Sequence, residues 1–243
     1  MSLLSLAFRR KYGTQMKKQL LLFTLLTVFS TATMAQVRFG LKLSPNISWI
    51  KPDSRDLESS GNYFGYTFGL MADLIVGEKE NYAFSTGLFL NNTGGTYTFP
   101  FTYDDNGTTK TDQLESKLKL RYVEVPLTMK LKTNEVGYIT YYGQIGIGTA
   151  FNIRAKADTE TIDDSGNRST EEDVDIGENT NLFKASLIVG GGIEFNITGD
   201  TYLMAGITYN GGFTNTFDGV KDDDGKDVTV LTNYVELSLG VFF

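Results

Sequence analysis

The 243-residue chain contains no cysteine and no histidine, with 26 glycines, 13 tyrosines, 17 phenylalanines and only 4 prolines. This excludes disulfides, lipidation on an amino-terminal cysteine, thiolate metal sites and nucleophiles activated by histidine, and it suits a strand-rich chain. The formal net charge of −7 leaves no basic excess for nucleic acid.

The first element is a targeting segment. Lys17 and Lys18 precede an apolar run from Leu20 to Phe29 and a small, polar stretch ending at Ala35. That run is about half of the ~20 residues a spanning helix needs, so the pattern predicts a secretory signal peptide cleaved between Ala35 and Gln36. Met16 stands where such a peptide would start, making residues 1–15 an upstream extension. Removing residues 1–35 takes away five basic residues and no acids, leaving 17 against 29 and a formal net charge of −12. No later apolar stretch is long enough for a membrane helix, so residues 36–243 can span a membrane only as strands.

Eight segments of strand character follow. Val37 to Ile50 places Val37, Phe39, Leu41 and Leu43 opposite Arg38, Gly40, Lys42 and Ser44. After a polar loop at 51–62, the second sets Phe64, Tyr66, Phe68, Leu70 and Leu74 against Thr67, Met71 and Asp73. A turn near Gly77 leads to the third, where Tyr82, Phe84, Leu88 and Leu90 alternate with Ala83, Ser85 and Phe89. A long loop at 99–116 precedes the fourth, with Val123, Val125, Leu127, Met129 and Leu131 opposite Tyr122, Glu124, Thr128 and Lys130. Just upstream, Leu118 and Leu120 carry the apolar phase on the other face, which predicts a bulge or the exit from a membrane. The turn at 133–137 opens the fifth, in which Ile139, Tyr141, Ile145, Ile147, Phe151 and Ile153 share a face. The loop at 154–181 holds nine acidic and three basic residues, and alternation around Ile162 and Val174 suggests strands that project beyond a membrane. The sixth segment opposes Phe183, Leu187, Val189, Ile193 and Phe195 to Lys184, Ser186 and Glu194. A turn at 198–200 gives the seventh, Leu203 to Phe213, and after a loop at 215–228 the eighth, Val235 to Phe243, ends the sequence.

Strands of about ten residues, short turns alternating with long loops, and one unbroken apolar face per strand predict an all-β fold: an eight-stranded antiparallel up-and-down transmembrane barrel, with short periplasmic turns and long extracellular hairpin loops. A soluble β-sandwich also alternates, but its loops need not alternate long and short with strand parity. A barrel of eight strands has an interior narrow enough for side chains to fill. The expected lumen holds Arg38, Lys42, Lys130 and Lys184 with Asp73, Glu124, Glu194 and Glu236, equal numbers of each sign, so pairing can offset their burial. Trp49 and the aromatic residues near strand ends fit interfacial anchors.

Three loop tips share a pattern: Asp104-Asp105-Asn106-Gly107, Asp163-Asp164-Ser165-Gly166 and Asp222-Asp223-Asp224-Gly225. Clustered carboxylates before glycine are candidate cation ligands, and the same residues supply hairpin geometry. No loop has the distal bidentate glutamate of a full calcium pattern, so the turn reading is preferred. No catalytic group and no cofactor motif is found.

The segment Tyr122-Val123-Glu124-Val125-Pro126-Leu127-Thr128-Met129-Lys130, the Ala35-Gln36 junction, the entry Phe39-Gly40-Leu41-Lys42 and the ending Leu237-Ser238-Leu239-Gly240-Val241-Phe242-Phe243 together resemble the PorT-like outer-membrane β-barrel family of Gram-negative bacteria. The resemblance implies a barrel integral to the outer membrane, in contact with its lipid and lipopolysaccharide and inserted by the barrel-assembly machinery. Val241 departs from the aromatic residue commonest at that place in the terminal signal. Some members of that family are associated with protein secretion and gliding, which implies an envelope or secretion partner. Lipid A acyl-modifying enzymes on small barrels are similar in size but rely on a histidine that this chain lacks. The expectation is a non-enzymatic structural or interaction barrel whose acidic loops make the contacts; the alternatives are a conduit for small or apolar solutes and an accessory of protein secretion.

Overall fold

Alternating side chains leave a pleated strand on opposite faces, and a sheet curled into a ring turns one of those faces to a lumen. The computed structural model describes residues 36–53, 57–77, 80–105, 108–162, 168–221 and 225–243, with the side chains of 101–111 outside the described set. The expected leader and extension, residues 1–35, therefore lie outside the described residues, as do Asp163, Asp164, Asp222, Asp223, Asp224 and the side chains of Asp104 and Asp105.

The described residues form ten strands: β1 (Gln36–Pro52), β2 (Glu58–Gly61), β3 (Tyr63–Val76), β4 (Tyr82–Asp105), β5 (Thr108–Lys132), β6 (Ile139–Ile162), β7 (Arg168–Asp175), β8 (Phe183–Thr198), β9 (Thr201–Gly212) and β10 (Val230–Phe242). They make one antiparallel sheet in the order β4-β3-β1-β10-β9-β8-β6-β5, which returns to β4 through the β4–β5 pairing. Eight strands thus close a ring, while β2 lies beside β4 and β7 beside β6. The closing seam runs from Gly40 opposite Phe242 to Pro52 opposite Val230. At one end the strands are joined by short turns, where Gly137 and Gly199 take φ of +69° and +53°, backbone that L side chains rarely adopt.

Around the ring, large apolar side chains point outward: Phe39, Leu70, Leu127 and Ile207 are each more than half exposed. A band of such residues on every strand is stable only against lipid. Its inward neighbours are mostly polar or small, with Met71, Phe89, Tyr142, Met204 and Phe242 packed among them. Gly206 and Gly192 flank the hydroxyl of Tyr142, which would lie 2.4 Å and 2.9 Å from a Cβ at those positions, so their missing side chains make room for an aromatic ring in the lumen.

Towards the opposite end the pattern inverts. On β5 the inward parity continues without a break from Lys130 and Glu124 to Tyr122, Leu120 and Leu118, but these last three are apolar or aromatic and almost fully buried. The change of apolar face expected near residue 121 is therefore an exit from the belt, with no slip in β5 itself. A bulge does occur at this level, but on β6: Arg121 faces Arg154 and Tyr122 faces Asn152, leaving Ile153 without a partner.

The long loops also differ from expectation. The loop expected at 99–116 is a paired arm in which β4 and β5 run together to Asp105 opposite Thr108. The stretch at 51–62 contains β2, and β6 and β7 pair through the acidic stretch, as the alternation around Ile162 and Val174 suggested. Phe217 and Val228, in the fourth expected loop, are buried in a core with Ile50, Leu118, Leu120, Ala155, Ala157 and Val230. Several strands leaving the belt together bury a second apolar core between them, which the polar composition of these segments does not reveal.

Candidate functional site: a charged lumen plug and an apolar chamber above it

The charged residues expected in the lumen all point inward, and the structure sorts them into three groups. At the short-turn end, Arg38 of β1 reaches Glu194 of β8 at 2.8 Å and Asp73 of β3 at 3.4 Å. Lys130 of β5 bridges the same two carboxylates, Asp73 at 2.7 Å and Glu194 at 3.3 Å, and Lys132 joins Glu194 at 3.4 Å. Ser85 donates to Asp73 Oδ1 at 2.6 Å. Four strands thus send charges to one cross-linked lattice. Lys132 was absent from the expected set, although it shares the inward parity of Lys130 and that parity could have revealed it.

Aromatic rings enclose this lattice. The guanidinium of Arg38 lies 4.7 Å from the centroid of Phe242 and 4.8 Å from that of Tyr202, and the ammonium of Lys130 sits 4.9 Å from Phe242 and 5.0 Å from Tyr142. Phe242 is completely buried there, whereas Phe243 is exposed. The terminal strand therefore supplies a cation–π partner in the lumen, a role hidden in the sequence because an inward aromatic breaks the polar-in pattern.

The second group is Lys42 with Glu236, paired across the closing seam between β1 and β10. Glu236 also accepts from Ser238 Oγ at 3.1 Å. The third surrounds Glu124, which accepts from Asn91 Nδ2 at 2.8 Å, Asn210 Nδ2 at 3.3 Å and the Tyr234 hydroxyl at 3.0 Å. Lys184 makes no ion pair among the described residues; its ammonium lies 5.3 Å from the Tyr234 ring and 5.5 Å from the Tyr122 ring. The cavity between these groups measures about 60 Å³, room for a few waters.

Beyond Tyr122 the interior changes character. A cavity of about 330 Å³ opens between Leu57, Tyr97, Phe99, Ala157, Phe217 and Val228, with Asn179 and Lys221 at its edge. Two asparagines fold the chain over it. Asn181 Nδ2 donates to the carbonyls of Asn215 and Phe217 at 3.1 Å and 2.8 Å, and Asn215 Oδ1 accepts from the backbone N–H groups of Phe217 and Val230 at 3.2 Å and 2.8 Å. On its outer surface Lys119 bridges Asp158 at 2.6 Å and Asp173 at 3.3 Å, and Lys156 meets Asp173 at 3.2 Å. Desolvation opposes ionisation of Asp158, but the Lys119 ammonium and the Asp173 N–H hold its carboxyl below the usual range. Asp173 is lowered by hydrogen bonds from Lys156 and Lys119, and Lys119 is raised by its bond to Asp158. No cluster of three or more metal-ligating groups occurs among the described residues.

A family model described as the outer membrane protein beta-barrel domain matches residues 29–218. The chain belongs to this family. Membership places the outer-membrane barrel domain, and with it the apolar belt, in the outer membrane. Among solved structures, the barrel is similar to Neisserial surface protein A (14% identity, 84% of this chain and 95% of that one, TM-score 0.42). It is also similar to the attachment invasion locus protein Ail of Yersinia pestis (16%, 86% and 99%, 0.37) and to OprG of Pseudomonas aeruginosa (10%, 84% and 95%, 0.42). No curated protein matches the chain in sequence.

Proposed function

We propose that this protein is a non-enzymatic barrel of eight membrane-spanning strands, closed to solutes, that acts at the cell surface as a structural or interaction protein through its hairpin extension. The observation that carries this reading is the lattice of Arg38, Asp73, Lys130, Lys132 and Glu194, whose side chains meet across the lumen between an open pocket of about 240 Å³ at the short-turn end and a cavity of only about 60 Å³ on the other side. Ion pairs buried this way resist opening, because separating them strands charges away from water. The short turns then face the periplasm and the long hairpins the exterior, as in other outer-membrane barrels. The acidic outer surface of β6 and β7 is the contact face for an envelope or secretion partner, consistent with a PorT-like role.

Planar-bilayer recording on the purified full chain tests the closed reading: no steady conductance is expected, and stable single-channel steps would overturn it. A second reading, capture of an apolar molecule at the surface, is favoured by the 330 Å³ chamber, which has the size of a small-molecule pocket. Filling it with Ala157→Trp should abolish binding of an apolar fluorescent probe to the reconstituted protein, while partner crosslinking through the outer face of β7 stays unchanged.

A further inference from the structure

The outward residues of β5 and β6 just past the belt form a ladder of cations. Arg121 stands directly opposite Arg154, and Lys119 opposite Lys156. Like charges directly opposite one another on a sheet repel, and this is a chain whose acids outnumber its bases 29 to 22. The lysine pair is compensated by Asp158 and Asp173. The arginine pair has no carboxylate among the described residues. Arg121 Nε donates to Asn92 Oδ1 at 2.7 Å, which fixes the guanidinium plane, and Arg154 is exposed with no hydrogen bond or ion pair among the described residues.

The position of this pair identifies what compensates it. The next outward residues towards the short-turn end are Val123 and the exposed Ile153, where the apolar band begins. From Leu131 to Arg121 the strand rises roughly 34 Å, or roughly 26 Å along the barrel axis at a tilt of about 40°, which is the height of an outer-membrane apolar band. The two guanidiniums therefore lie at the level of lipid headgroups, beside a shallow cavity of about 150 Å³ lined by Tyr63, Asn92, Arg121 and Arg154, with Lys119, Lys156 and one carboxylate, Asp173, which those two lysines engage. Guanidinium matches a phosphoryl group bidentately, and each such charge-assisted contact is among the stronger hydrogen bonds.

We propose that Arg121 and Arg154 form a binding site for a phosphoryl group of an outer-leaflet lipid, with Lys119 and Lys156 extending the cationic ladder. The site rests on the reading that the long hairpins face the exterior. It contacts the lipid phosphate directly and needs no divalent ion bridged by the acidic loops.

The test uses the full chain in phosphatidylcholine nanodiscs with or without bis-phosphorylated lipid A, counting retained lipid A by native mass spectrometry. Wild type should retain lipid A with EDTA present, and R121Q/R154Q should lose at least about tenfold in affinity, a loss of about 1.4 kcal/mol. K51Q/K226Q, which removes two cations elsewhere, should bind as wild type. R121K/R154K keeps the charge without the bidentate fork and should fall between. Heat-modifiable migration on gels shows that each variant is folded. Equal retention by R121Q/R154Q, equal retention of dephosphorylated lipid A, loss of binding in EDTA, or full displacement by millimolar inorganic phosphate would each overturn the lipid site. Labelling of S169C by an impermeant maleimide in intact cells reports separately on the outward-hairpin reading, so failure of either claim is seen independently.

Discussion

Within the apolar belt the interior is charged and filled, with a cavity of about 60 Å³, whereas past the β6 bulge it is apolar and encloses about 330 Å³. The two regions share the same strands, and on β5 the same inward parity: Lys130, Thr128 and Glu124 below, Tyr122, Leu120 and Leu118 above. What differs is the medium outside. Where lipid covers the wall, apolar side chains go outward and polar ones must satisfy each other inside. Where water covers it, burial of apolar surface drives the opposite choice. The fold sets which residues share a face, and the surroundings set which face is apolar.

The largest effect that should separate the two regions comes from the plug. Glu194→Ala leaves Arg38, Lys130 and Lys132 short of a carboxylate and should destabilise the barrel by about 3–5 kcal/mol. Urea unfolding in micelles reads this, and a loss below about 1 kcal/mol would mean that the lumen charges are hydrated rather than paired. Leu118→Ala removes a fully buried side chain from the upper core and should cost about 2–5 kcal/mol. Hydrogen exchange should show that cost confined to the arms of β4, β5 and β6; protection lost equally in the belt would erase the boundary between the regions.

Gly206→Val places a Cβ 2.4 Å from the Tyr142 hydroxyl and 2.6 Å from the Gly191 carbonyl. Overpacking of this kind should cost about 1–3 kcal/mol in the lumen, and Tyr142→Ala in the same chain should recover part of it, as a double-mutant cycle on the same unfolding transition would show. The smallest effect is the pH dependence of the exposed Lys119–Asp158–Asp173 bridge. The folded carboxyls titrate below their unfolded values, so their contribution is present above about pH 4 and is lost as pH falls further. Lys119 titrates above its unfolded value, so its contribution is present below about pH 10 and is lost as pH rises through the folded value. Protection of β7 amides, as exchange relative to the intrinsic rate at each pH, should be greatest between those limits; a flat profile would leave the bridge without a stabilising role.

Much of the barrel is legible in the sequence because a strand's period of two is strictly local. Val37 to Ser44 or Phe64 to Asp73 sort into faces from their own order, and the inward positions of Arg38, Asp73, Glu124 and Glu194 follow directly. Which cation meets which carboxylate is not legible: parity alone leaves Glu236 open to either Arg38 or Lys42 of β1, yet Arg38 meets Glu194 and Asp73, and Lys42 takes Glu236. That choice depends on the stagger of β1, β3, β5 and β8 around the ring, which no single strand encodes. Phe217 and Val228 escaped notice for a related reason, since isolated apolar residues in polar stretches reveal their burial only when Asn181 and Asn215 fold the chain over the chamber.

Composition, alternation and the spacing of turns by themselves determined an all-β chain with an apolar outer face and a polar inner one, because each of those signals acts over a few residues. Tertiary structure alone decided the ion-pair lattice, the extension of the hairpins into a second core, the bulge at Ile153 and the arginine pair at the edge of the belt. Each of these depends on register between strands, which no strand's own order encodes, and register is an energy of the closed ring.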